Sequence, residues 1–150
     1  MQFTTDILAS LVGKKHDLLL QLRDVGQRQT ELIEGGEMTQ LLKLLSSKQR
    51  LLNGLQEIER LMDPYRNQNP AERVWRTPAD RDRCAELAGR CEILLAEVVE
   101  QEKRSESRLM AHRDRVATQL EGIQQAAVAR SAYSDHPAFE FRQLDLSSES

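Results

Sequence analysis

The sequence predicts an all-α protein: a long antiparallel helical hairpin or coiled coil with its first arm broken at Gly35-Gly36, or alternatively a three-helix bundle. The composition is the first reason. Aromatic residues make up 4% of the 150-residue chain and charged residues 30%, whereas strands favour the β-branched and aromatic side chains that are scarce here. The second reason is periodicity, because apolar residues recur at alternating steps of three and four over long stretches. The third is punctuation. The strong turn signals fall at Gly35-Gly36 and between Asp63 and Thr77.

The first helix is expected to begin at Thr4 or Thr5, either of which can cap it ahead of Asp6 in the first turn. Its seam is Leu8, Leu11, Lys15, Leu18, Leu22, Val25, Gln29 and Leu32, with Lys15 and Gln29 as polar intruders at core-type positions. A second run, Met38, Leu41, Leu45, Leu52, Leu55 and Met62, is broken by Lys48 and Glu59. The row Leu44, Leu51 and Ile58 widens its apolar face, as suits a bundle helix. Asp63-Pro64 is expected to end it, since the residue before a proline is pushed out of the α region.

A loop follows through Asn67, Gln68, Asn69 and Pro70. Thr77-Pro78-Ala79-Asp80 then signals a new start: a capping threonine, a proline suited to the first helical position and an acidic residue in the first turn. That helix runs to about Tyr133, with the seam Cys84, Leu87, Cys91, Leu94 and Val98, and later Leu109, Val116 and Ile123 at sevens beside Leu120 and Ala127. Between the two seams lie Glu100 to Arg108, nine residues without an apolar side chain. In a hairpin with its tip near residue 70, Gly35 and Gly36 would face Glu106 and Ser105, so the break in one arm meets the polar stretch of the other. In a three-helix bundle, Gly35-Gly36 is a true turn. The expected organisation is one helical domain over 1–133, with helices of about 5–34, 38–63 and 78–133, and a flexible tail over 134–150.

Several function classes find no support. The formal net charge is −3 with both signs mixed, which leaves no basic footprint for nucleic acid. No apolar run approaches the roughly 20 residues that span a bilayer, and Asp6, Lys14 and Lys15 interrupt any secretory signal, so stable membrane insertion is not expected and a cytoplasmic location is. Cys84 and Cys91, seven apart on a helix, would be separated by roughly 10.5 Å, too far for an intrachain disulfide; they read as reduced seam residues. His16, His112 and His136 are scattered, none has a glutamate three residues before it, and the cysteine spacing does not suit zinc. Gly13-Lys14 lacks the preceding glycine of a phosphate loop, position 8 being leucine. No enzyme, metal or cofactor is expected.

Taken in order, three stretches carry a resemblance. They are Gly36-Glu37-Met38 through Leu41-Leu42, Leu44-Leu45, Lys48-Gln49, Leu51-Leu52 and Leu55; Asp63-Pro64 through Arg73-Val74-Trp75 and Thr77-Pro78 to Arg83-Cys84; and Leu94-Leu95, Glu97, Glu102, Ser105-Glu106, Leu109 and Arg113-Asp114. Over residues 30–125 the chain resembles the FlgN family of flagellar type III export chaperones. The resemblance implies a cytosolic, non-enzymatic protein that binds the terminal amphipathic helix of late substrates, the hook-filament junction proteins, and delivers them to the membrane export gate. On that reading Leu109, Val116, Leu120 and Ile123 form the client-binding surface, and Tyr133, expected just past the helix end, contacts the gate. The competing expectation is that those four residues close an intramolecular seam. A self-associating scaffold, assembled as a homodimer without a dedicated client, is the alternative function. Trp75 is expected to pack on Tyr65 and the helix ends, and the tail carries the alternating segments Phe139-Glu140-Phe141 and Leu144-Asp145-Leu146.

Overall fold

A computed structural model describes residues 3–134. It contains three helices, α1 (Thr4–Glu34), α2 (Met38–Arg66) and α3 (Pro78–Ser134), with a single 3₁₀ turn at Pro70–Glu72 in the second connection. No strand occurs among the described residues. The flexible tail was expected over 134–150; α3 takes in its first residue, Ser134, and residues 135–150 lie outside the described residues. The chain divides into two compact units, Met1–Leu109 and Met110–Ser150.

The first unit is a three-helix bundle, so of the two arrangements the sequence allowed the bundle is realised. Gly35-Gly36 is a true turn. Glu37 donates its N–H to the Leu32 carbonyl at 2.9 Å and Gly36 donates to Ile33 at 3.2 Å, the paired bonds that end a helix through a left-handed residue. That residue is Gly36, at φ +69°, a conformation glycine adopts without steric cost. Beneath the turn, Leu32, Ile33 and Leu41 form a small core with Met38, Leu44 and Leu45 against it.

Beyond the turn, α2 runs antiparallel to α1: Lys15 pairs with Glu59 and Gln29 with Lys48. The start of α3 then runs parallel to α1. Cys91 lies 3.8 Å from the Val12 carbonyl, Gln101 donates to the Arg23 carbonyl at 3.3 Å, Thr30 and Ser105 share a 3.3 Å hydrogen bond and Arg108 meets Glu34 at 2.8 Å, so both residue numbers rise together. The expected closeness of Gly35 to residues near 105 is therefore approximately met, but with the opposite chain direction. A connection that turns at 35 and again near 70 brings the third helix back alongside the first.

The main core is Leu8, Val12, Leu19 and Leu22 from α1 with Cys84, Cys91, Leu94 and Val98 from α3. Leu51, Leu52, Leu55, Met62 and Tyr65 of α2 pack against it, as does Trp75. Helix α1 buries ten residues and α2 three, which makes α1 the more enclosed of the two.

Two expected boundaries are corrected. Phe3, not Thr4 or Thr5, precedes α1; Asp6 accepts the Phe3 N–H at 3.1 Å. The Thr5 hydroxyl instead donates to the Val74 carbonyl at 2.7 Å, fastening the start of α1 to the α2–α3 connection. Helix α2 passes Pro64 and ends at Arg66. A proline in a final turn forfeits one hydrogen bond, and here Tyr65 anchors that turn by packing on the core while its carbonyl accepts from Arg73 at 2.7 Å. The Thr77 cap of α3 is as expected: its hydroxyl accepts the Asp80 N–H at 3.1 Å.

Candidate functional site

Within the first unit the apolar row of α3 is fully used. Cys84, Cys91, Leu94 and Val98 are buried, and both cysteines are free. Burial pushes both thiols above their ordinary range, against a smaller opposing pull from Arg73 on Cys84 and from Lys15 on Cys91. A buried thiol of raised pKa is a poor nucleophile, so neither is arranged for covalent chemistry.

The row continues into Glu100–Arg108, and here the structure reveals what the sequence did not. The polar stretch is a contact zone. Lys48 is buried, donates to the Gln29 side chain at 3.1 Å and pairs with Glu102. Ser105 is buried against Thr30. The Gln101 side chain lies over Gly26, where a Cβ would come within 2.4 Å of its Oε1, so glycine is what admits this approach. Burial lowers the Lys48 ammonium below the usual lysine range. The signal existed in the sequence as two separate flaws per helix. Lys15 and Gln29 interrupt the α1 seam, Lys48 and Glu59 interrupt that of α2, and antiparallel packing pairs them as Lys15–Glu59, 2.7 Å apart, and Gln29–Lys48.

The second unit is different. Its described part is helix alone, and none of its described residues is buried. Val116, Leu120 and Ile123 are 40%, 55% and 62% exposed. Steps of four and three put them on one face of the helix. Leu109, the last residue of the first unit, is 39% exposed. These four residues, expected either to receive a partner or to close an intramolecular seam, are left uncovered among the described residues. Of the first-arm residues expected to face them in a hairpin (Leu11, Leu18, Leu22 and Val25), Leu11 and Leu22 are buried in the first unit and Leu18 and Val25 are half-buried. Tyr133 is 91% exposed and sits inside the last turn of α3 rather than past its end.

A second feature lies where the start of α1, the end of α2, the connection and the start of α3 converge. Trp75 packs there against the main core with Tyr65, as expected, and beside them is a cavity of about 310 Å³. Phe3 and Asp6 hold the outer strap: Arg76 makes a two-pronged ion pair with Asp6 and lies 4.9 Å over the Phe3 ring. Arg73, on the cavity wall, spends one donor on the Tyr65 carbonyl, while its Nε is buried without a hydrogen-bond partner. The sequence singled out Trp75 as a packing residue and gave no sign of the cavity, because its walls come from four separate segments.

Among the described residues, no group of three or more His, Cys, Asp or Glu is placed to hold a metal ion, and no helix is long and apolar enough to cross a membrane. No protein-family model matches the chain, and neither a curated protein nor a solved structure matches it.

Proposed function

We propose that the protein is a cytosolic export chaperone that binds the terminal amphipathic helix of a late flagellar substrate, a hook-filament junction protein, and carries it to the type III export gate. The observation that carries this reading is the uncovered apolar row Val116, Leu120 and Ile123 on a helix with no covering element among the described residues. An amphipathic partner helix presents its own i, i+3, i+4, i+7 row and would cover these residues directly. Fully burying an exposed Val, Leu or Ile side chain contributes roughly 1.5–3 kcal/mol; these three, 40%, 55% and 62% exposed, supply about half of that each and so form the apolar part of a reversible contact. Leu109 is a further exposed contact in the first unit. Tyr133, exposed in the final turn of α3, is assigned to the gate by resemblance to the FlgN family. The first unit, with a packed core and a paired polar layer, serves as the stable anchor.

The competing reading is a scaffold whose exposed row pairs with that of a second copy. Co-purification separates the two. The protein is purified with a hook-filament junction protein carrying or lacking its terminal helix. Capture at 1:1 that depends on the helix supports the chaperone. A tight homodimer that ignores the junction protein refutes it and leaves the scaffold.

A further inference from the structure

The uncovered row of α3 is apolar only in its middle. Steps of three and four lead from Arg113 through Val116, Leu120, Ile123 and Ala127 to Arg130, and all six residues are exposed. One face of the helix therefore runs from a guanidinium, across roughly 16 Å of apolar side chains, to a second guanidinium about 25 Å from the first. Neither arginine has a strong partner. Arg113 reaches only its exposed neighbour Asp114, at 3.6 Å, a pair that solvent screens. Arg130 pairs with no carboxylate among the described residues. Between Met110 and Ser134 the carboxylates are Asp114 and Glu121, and at about 100° per residue both lie about 100° or more around the helix from Leu120. The face is apolar in the middle, cationic at both ends and free of negative charge.

That arrangement discriminates among occupants. A second copy laid in full register over the row meets like charge in either direction. Antiparallel, with Val116 over Ala127, it brings Arg113 against Arg130; parallel, each arginine meets its own counterpart. Like charges brought together select against a partner. A helix with a carboxylate beyond each end of its apolar stripe meets attraction at both ends instead, and a guanidinium can grip a carboxylate through two parallel bonds.

We infer that the occupant of this face is a partner helix whose apolar stripe is bracketed by carboxylates about 17 residues apart. The apolar middle supplies the contact, while Arg113 and Arg130 fix the register and reject helices with neutral or basic brackets. The inference rests on the reading that the row receives a partner's amphipathic helix, and it adds what that helix must carry.

Three synthetic amphipathic helices test it. They share one stripe of leucines at three-four spacing and differ only in the bracketing residues, which are Glu, Gln or Lys at both ends. Each carries a dye and is titrated with the full-length protein, binding being read by fluorescence anisotropy at low salt and at about 1 M salt, where exposed charges are screened. At low salt the Glu-bracketed peptide should bind roughly fivefold or more tighter than the Gln-bracketed one, with the Lys-bracketed one weakest, and the differences should vanish at high salt. The formal net charge of the protein is −3 and opposes an acidic peptide, so this preference has to arise locally. In Arg113→Glu/Arg130→Glu the order should invert in favour of the Lys-bracketed peptide, with helical content unchanged and the Gln-bracketed peptide bound as by the wild type. Equal binding of the three peptides at low salt, or an order that the variant does not invert, would overturn the inference and leave the row as a docking face. No binding of any peptide, whether or not the protein sediments as a homodimer, would overturn both.

Discussion

Replacing Gly36 with alanine isolates the turn on which the bundle depends. The residue has φ +69°, and a Cβ added there meets nothing within 4 Å, so the substitution introduces no clash and the cost is purely conformational. Holding an L-residue in the left-handed region costs roughly 1–2 kcal/mol. The alanine also restricts the unfolded chain, which returns about 0.4–1 kcal/mol. The net expectation is a loss of about 1 kcal/mol. For a domain of this size that lowers Tm by roughly 3–5 °C. Gly35→Ala is the internal control. Gly35 has φ −80° and helical geometry, and its added Cβ meets the Glu31 carbonyl oxygen at 3.3 Å; its effect should stay within about 0.5 kcal/mol. Thermal denaturation followed by circular dichroism reads both. A rise in Tm for Gly36→Ala would mean that helix continues through residues 34–38, and the three-helix arrangement would be wrong.

Further consequences are open to measurement. Gly13, Gly89 and Gly122 are helical glycines whose added Cβ atoms meet nothing within 4 Å; each Gly→Ala change should stabilise its helix by up to about 1 kcal/mol, and a loss of helical signal would contradict their placement. Gly26→Ala, by contrast, forces Gln101 off its seat and should not stabilise. Cys84 and Cys91 should react slowly with iodoacetamide in the native protein and at ordinary thiol rates in denaturant; fast native alkylation of either would contradict its burial. The Arg76 guanidinium beside Asp6 holds that carboxyl below its ordinary value of 3.8. A carboxyl depressed in the folded state contributes stability that is complete above its unfolded value and disappears as pH falls through the folded one. The Tm of Asp6→Asn should therefore lie below that of the wild type at neutral pH and converge with it in acid; curves that stay parallel throughout would remove the ion pair from the account.

Fold class, helix order and the α3 cap could be read directly from residues. Leu and Ala at three-four spacing, Thr77 before Pro78 and the scarcity of aromatics act through local geometry, which a single chain segment contains. The choice between hairpin and bundle could not be read, for a specific reason. Both arrangements bring residues near 35 beside residues near 105, and only the direction of the pairing separates them. That direction appears in Thr30 with Ser105 and Glu34 with Arg108, contacts whose meaning depends on knowing both partners. The polar layer escaped for a similar reason. Lys48 in its own helix is a defect, and it becomes a structural element only opposite Gln29 and Glu102. Pro64 misled because the rule about prolines concerns backbone strain alone, whereas Tyr65 and Arg73 hold the last turn of α2 from outside the helix. The residues assigned to client binding were legible as an apolar row, and the structure adds that they are uncovered.

The proposed function depends on that row. The direct measurement is calorimetric titration of a junction protein's terminal-helix peptide into the wild-type protein and into the Leu120→Asp/Ile123→Asp variant. A charge at each of two contact positions should cost at least about 2 kcal/mol, more than tenfold in affinity, while circular dichroism confirms an unchanged helical content. Binding at 1:1 by the wild type that is lost in the variant is the predicted result. Equal affinity for both proteins, or no binding by a wild type that sediments as a tight homodimer, would contradict the account.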